Sequence, residues 1–139
     1  MKNLNERINN TMKNYFFLAP WFLRLGLGTA FIFHGIGKFP LPPQKLIDYF
    51  DFSPVLASFV ALAELFSGIF LIIGGFLKSY FGELMTRVSS LVIITIMFFA
   101  FNIAHRDWFF NAQLFTSEQI FLTLLGFYFL ITGNNNTNE

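Results

Sequence analysis

Six polar side chains stand where chemistry could be done in a chain otherwise dominated by apolar residues: Arg24, His34, Lys38, Glu64, Asn102 and His105. His34 and Lys38 are one helical turn apart, and Asn102 and His105 close a later apolar run. A neutral imidazole can ligate haem iron or bond a carbonyl oxygen, and a lysine or arginine can stabilise an anion. Two histidines at one level therefore admit three readings. They could hold a b-type haem, they could bond the carbonyls of a quinone headgroup with Arg24 stabilising the reduced anion, or they could be interfacial polar residues. Haem has the least support, since two histidines without a fixed spacing form a weak ligand signature. No metal site is expected, and no thiol, HExxH, P-loop or GxSxG pattern is present.

Arg24 and Glu64 are placed differently, well inside apolar runs. A charge near the centre of a bilayer costs about 2.5–3.5 kcal/mol even on the lenient insertion scale, so it needs a partner or a task. Counting from His34 back to Arg24 and from Pro54 forward to Glu64 puts both roughly 15 Å below one face of the membrane. The expectation is an Arg24–Glu64 ion pair at mid-membrane, either purely structural or tuning charge and moving protons. Arg24, Gly28, Phe31, Gly35 and Lys38 share one helical face, and Ala57, Ala61, Glu64, Gly68 and Gly75 share another. Small residues on both faces let two helices approach closely.

Membrane helices carry these groups. The chain has 139 residues, 55% hydrophobic and only 12% charged, with 22 phenylalanines that a soluble domain of this size could not hide. Four apolar runs, Phe16–Ile36, Val55–Leu77, Met85–Ala104 and Glu118–Thr132, predict an all-α, polytopic membrane protein with four transmembrane helices in an antiparallel bundle. Residues 1–14 form a polar cytoplasmic segment, 15–133 the membrane domain and 134–139 a polar tail. Pro40, Pro42 and Pro43 stop the first helix, Pro54 opens the second, and Thr116 with Gln119 forms a capping box for the fourth. Between them, Gln44–Phe50 forms a short interfacial helix with Leu46, Ile47 and Phe50 toward lipid. The basic residues outside the spans are Lys2, Arg7, Lys13, Lys78 and Arg87 on the side of the termini, against Lys38, Lys45 and Arg106 on the other. This excess puts both termini in the cytoplasm. The net charge of +1 offers no footprint for nucleic acid.

The string Arg24-Leu-Gly-Leu-Gly-Thr-Ala-Phe-Ile-Phe-His34-Gly-Ile-Gly-Lys38-Phe resembles the opening signature of the DoxX family of small four-helix membrane proteins. Ala63-Glu64-Leu-Phe-Ser-Gly68, followed by Ile-Gly74-Gly75-Phe, resembles its second-helix signature. Thr86-Arg87, His105 and the closing Leu-Ile-Thr-Gly133 also fit. The segment Leu77–Glu83 looks longer than the family's second-to-third turn, and an Asn tail replaces its glycine-rich ending. The resemblance implies a bacterial inner-membrane protein similar to the small membrane subunit of archaeal thiosulfate:quinone oxidoreductase. Other members accompany redox-defence assemblies or carry names from methylamine utilisation.

Three functions follow. The first is a redox-associated subunit binding quinone or quinol near the outward face through His34, Lys38, Asn102 and His105, alongside redox-enzyme partner subunits. The second is a non-catalytic scaffold that anchors partner proteins, and the third a small transporter that would need a homo-oligomer. With no nucleophile–base pair, the chain reads as an accessory of a membrane oxidoreductase rather than a catalyst alone.

Overall fold

The computed structural model describes residues 2–134, and every regular element there is helical. In order these are α1 (Lys2–Lys13), α2 (Leu18–Ile36), α3 (Gln44–Phe50), α4 (Pro54–Phe76), α5 (Tyr80–Ile103), a 3-10 turn (Arg106–Phe110), α6 (Gln113–Thr116) and α7 (Glu118–Thr132). Helices α4 and α5, with 23 and 24 residues, are long and apolar enough to cross a bilayer. Helices α1 and α2 meet the same criterion together, across a bend of 56°. Helix α7 is apolar but has only 15 residues. Large apolar side chains face outward along these helices, Phe22, Phe33 and Ile131 being 70%, 70% and 72% exposed. That is the surface of a protein whose solvent is lipid, and the chain is a membrane protein.

Helices α2, α4, α5 and α7 close a ring, with α2 against α4, α4 against α5, α5 against α7 and α7 back on α2. Leu27, Phe31, Leu71, Ile93, Met97, Leu122 and Phe129 fill its centre. Glycines set the register of α2 on α4. A Cβ added at Gly68 would come within 2.5 Å of the Gly28 carbonyl oxygen, and one at Gly35 within 2.6 Å of the Leu65 amide nitrogen. The two helices therefore run antiparallel with backbones in direct contact, as small residues permit where apolar burial gives no drive to associate. On this register Gly35 faces Leu65, so α4 continues beyond the end of α2 for most of its first ten residues, roughly 15 Å at 1.5 Å per residue. The α3 segment packs on α4.

Several boundaries match the sequence expectations. Helix α3 spans Gln44–Phe50, and Pro54 opens α4 behind Ser53, whose hydroxyl oxygen accepts from the Leu56 amide at 3.2 Å. Others do not. The third apolar helix starts at Tyr80 rather than Met85, because Ser79 caps it by accepting from the Gly82 amide at 3.3 Å. The connection to α4 is then the three residues Leu77–Ser79, a tight turn rather than the longer one expected. The capping box does not form: Thr116 ends α6, its hydroxyl donates back to the Gln113 carbonyl, and Ser117 precedes α7 without a side-chain cap. The expected tail 134–139 lies outside the described residues except for Asn134, which is built into the bundle.

Candidate functional site

The two charges of the apolar runs serve separate clusters at different depths. Arg24 is buried, 4% exposed, near the end of the bundle where α2 begins and α4 and α7 stop. Its Nη1 donates to the Leu71 carbonyl at 2.6 Å and the Thr86 hydroxyl at 2.9 Å. Its Nη2 donates to the Gly133 carbonyl at 3.3 Å and to Asn134 Oδ1 at 2.8 Å. Asn134 Nδ2 in turn donates to the Gly74 carbonyl at 2.7 Å, and the Thr86 hydroxyl donates to Asn134 Oδ1 at 2.7 Å. The guanidinium thus ties α2 to α4, α5 and the end of α7. Its partners are neutral, and no carboxylate among the described residues pairs with it. The carbonyl-rich C-terminal ends of α4 and α7 supply the compensating negative potential. The Phe129 ring covers one side, its centroid 4.6 Å from Cζ. Gly75 abuts the side chain as well, since a Cβ there would lie 2.6 Å from Arg24 Cδ. Beside this clasp, Arg87 donates to the Leu130 carbonyl at 2.7 Å and the Ile131 carbonyl at 3.1 Å, closing more of the α7 terminus.

Glu64 is buried on α4, 6% exposed, and its partner is the Lys38 ammonium, which also donates to the His34 carbonyl at 3.3 Å. The expected Arg24–Glu64 pair is therefore absent, and the reason is register. Equal counting from His34 and Pro54 assumes that α2 and α4 end level, but α4 overhangs α2. Glu64 consequently meets the last turn of α2, while Arg24 meets Leu71 and Gly75, about 10 Å or more deeper along α4. Both charges do lie on the small-residue faces identified from the sequence, and Gly28, Phe31, Gly35, Ala57, Ala61 and Gly68 are buried there.

The overhang leaves space. A cavity of about 430 Å³ occupies the room beyond the end of α2 and opens between α3, α4, α5 and α7. Leu46, Phe50 and Phe52 wall it on the α3 side, with Leu56 and Val60 from α4. Helix α5 adds Ile96, Met97 and Ala100. Leu46 and Phe50 thus face the cavity, contrary to the expectation that they point to lipid. The polar side chains on its lining are His34, Lys38, Glu64 and Gln119. His34 is held at the rim by Glu118 at the start of α7, with Nε2 3.2 Å from Oε1.

Of the residues expected to form a polar site, His34 and Lys38 line this cavity and Asn102 and His105 do not. Asn102 donates to the Phe98 carbonyl on its own helix at 2.7 Å, and the His105 ring stacks on Trp108 with centroids 3.6 Å apart. Both lie where α5 ends, and local partners absorb them. Sequence reasoning missed Gln119 at the cavity and Thr86 and Asn134 at the clasp. The available signal was the demand of a buried guanidinium for several acceptors, which polar residues at the ends of two apolar runs can meet.

The chain is thus a helical membrane protein with a buried arginine clasp at one end and an apolar cavity edged by an ion pair toward the other. It belongs to the DoxX family, whose family model matches residues 19–106, a stretch holding Arg24, His34, Lys38 and Glu64. No curated protein and no solved structure matches the chain.

Proposed function

We propose that this DoxX protein is an accessory subunit of a membrane redox system and binds a quinone or quinol in the cavity beyond the end of α2. The observation that carries the reading is the lining itself: apolar and aromatic walls with His34, Lys38, Glu64 and Gln119 as the polar side chains. A quinone needs that division, with an apolar surround for ring and tail and a few hydrogen-bonding groups for its oxygens. Lys38 and Gln119 can donate to a quinone carbonyl, and Glu64 can accept from a quinol hydroxyl. The volume of about 430 Å³ lies within the range of small-molecule sites.

In this reading α2, α4, α5 and α7 are four antiparallel spans of a bacterial inner membrane, with both termini cytoplasmic and the cavity toward the outer face. Lys38 and Arg87 are drawn into packing, which leaves Lys2, Arg7, Lys13 and Lys78 against Lys45 and Arg106, four to two in the same direction. The electron donor would be a partner subunit.

The experiment is lipid extraction and thermal-shift titration of the purified protein with quinone analogues, on the natural chain and on Ala100→Phe. The substitution fills the cavity and leaves every polar group in place. Expected are co-purifying quinone and a stabilising shift that Ala100→Phe removes. No quinone and no shift in the natural chain, or an equal shift in both, would sink the reading.

A further inference from the structure

Helix α1 stands outside the packed ring, yet it is more amphipathic than α2, α4, α5 or α7. Leu4, Ile8 and Met12 recur every fourth residue along one face and are 65%, 50% and 51% exposed. Glu6, Asn10 and Lys13 occupy the opposite face. A largely polar helix of 12 residues is marginal alone in water, so its apolar face needs a surface to lie on. The geometry points to the lipid headgroup layer at the mouth of the first span as that surface.

Two observations favour lipid over a protein partner. The stripe is continuous with surface already facing lipid: beyond Met12 it runs into the exposed aromatics Tyr15, Phe16 and Phe17, then into Phe22 on α2. The bend of 56° turns α1 away from the path of α2, as a helix must turn to leave a membrane-crossing direction for the interface. Charge agrees, since Lys2, Arg7 and Lys13 against the single Glu6 give α1 a positive excess suited to anionic headgroups. Aromatic side chains with an apolar body prefer this depth, which fits Tyr15 within the bend and Trp21 just beyond it. Helix α1 therefore lies in the interface with Leu4, Ile8 and Met12 just below the headgroups, and it sets the depth and tilt at which α2 enters.

The chain has no cysteine, so single labels can be placed without background. Full-length protein carrying Leu4→Cys, Ile8→Cys, Met12→Cys, Glu6→Cys or Asn10→Cys is labelled with a nitroxide. It is then reconstituted in vesicles of phosphatidylethanolamine and phosphatidylglycerol. Labels at 4, 8 and 12 should gain collisions with oxygen and lose collisions with an aqueous nickel chelate, while those at 6 and 10 stay open to nickel. Equal nickel access at all five positions overturns the inference. So does protection at 4, 8 and 12 from both quenchers with dipolar broadening between labels, which would mean that a second copy covers the stripe.

Discussion

The guanidinium of Arg24 is held by four neutral acceptors from three neighbouring segments. A hydrogen bond to a charged group is worth about 1.5–3 kcal/mol in water-soluble proteins, but interhelical bonds in membranes average only about 0.6 kcal/mol. The membrane value governs here, because the unfolded chain in lipid also finds partners. Arg24→Met should therefore cost roughly 2 kcal/mol in reversible unfolding from mixed micelles. Gly75→Ala should cost a similar amount and be strongly non-additive with Arg24→Met, since both displace the same guanidinium. The separation of the two clusters makes a sharper prediction. Arg24→Met and Glu64→Gln should add within about 0.5 kcal/mol, whereas Lys38→Met and Glu64→Gln should show a coupling of about 1–3 kcal/mol. Coupling in the first cycle and additivity in the second would restore the ion pair that the structure replaces.

Among the elements, the contact of α2 with α4 decides where every functional side chain falls. Backbone touches backbone at Gly28, Gly35 and Gly68, so the helices cannot slide by a turn without forcing a side chain into the seam. Gly68→Ala would push its methyl into the Gly28 carbonyl and the Ile32 amide at 2.5 and 2.9 Å. The backbone cannot yield as a flexible side chain would, and the expected loss is about 1–3 kcal/mol. The same substitution should alter the cavity, because parting α2 from α4 moves Lys38 from Glu64. A fluorescent quinone analogue that binds the natural chain should therefore bind Gly68→Ala more weakly. At Gly26, where an added Cβ meets nothing within 4 Å, Gly26→Ala should leave binding unchanged and stability unchanged or slightly raised. It separates a seam effect from a general change in helix propensity.

For the whole molecule, the two ends of the bundle are built differently. One end is closed by charge-assisted bonds from Arg24 and Arg87 to the termini of α4 and α7. The other is left open by the short α2 and only partly roofed by α3. A closed end and an open end give the molecule one side from which an apolar ligand can enter. Orientation is testable in spheroplasts with Lys45→Cys and Lys78→Cys and a membrane-impermeant maleimide. Labelling at 45 in intact spheroplasts, and at 78 only after permeabilisation, is the outcome required by cytoplasmic termini. The reverse pattern would place the cavity on the cytoplasmic side.

Some of this was legible in the residues alone because it depends on local chemistry. Apolar runs against few charges required membrane helices, Pro54 required a helix start, and glycine spacing marked the faces of α2 and α4 that are buried. The types of the chemically capable residues could also be read, and four of the six, Arg24, Glu64, His34 and Lys38, take part in the clasp or the cavity. Partners could not be read, since a partner depends on the offset between two helices, and that offset is set by tertiary packing. One slip of about three turns along α4 separates an Arg24–Glu64 pair from the observed Lys38–Glu64 pair. The same offset leaves α2 short, opens the cavity, and turns Leu46 and Phe50 inward. Which side chains must avoid lipid can be read along the chain, because burial cost belongs to each residue. Which of them meet is set by how the helices pack, because meeting is a property of the register.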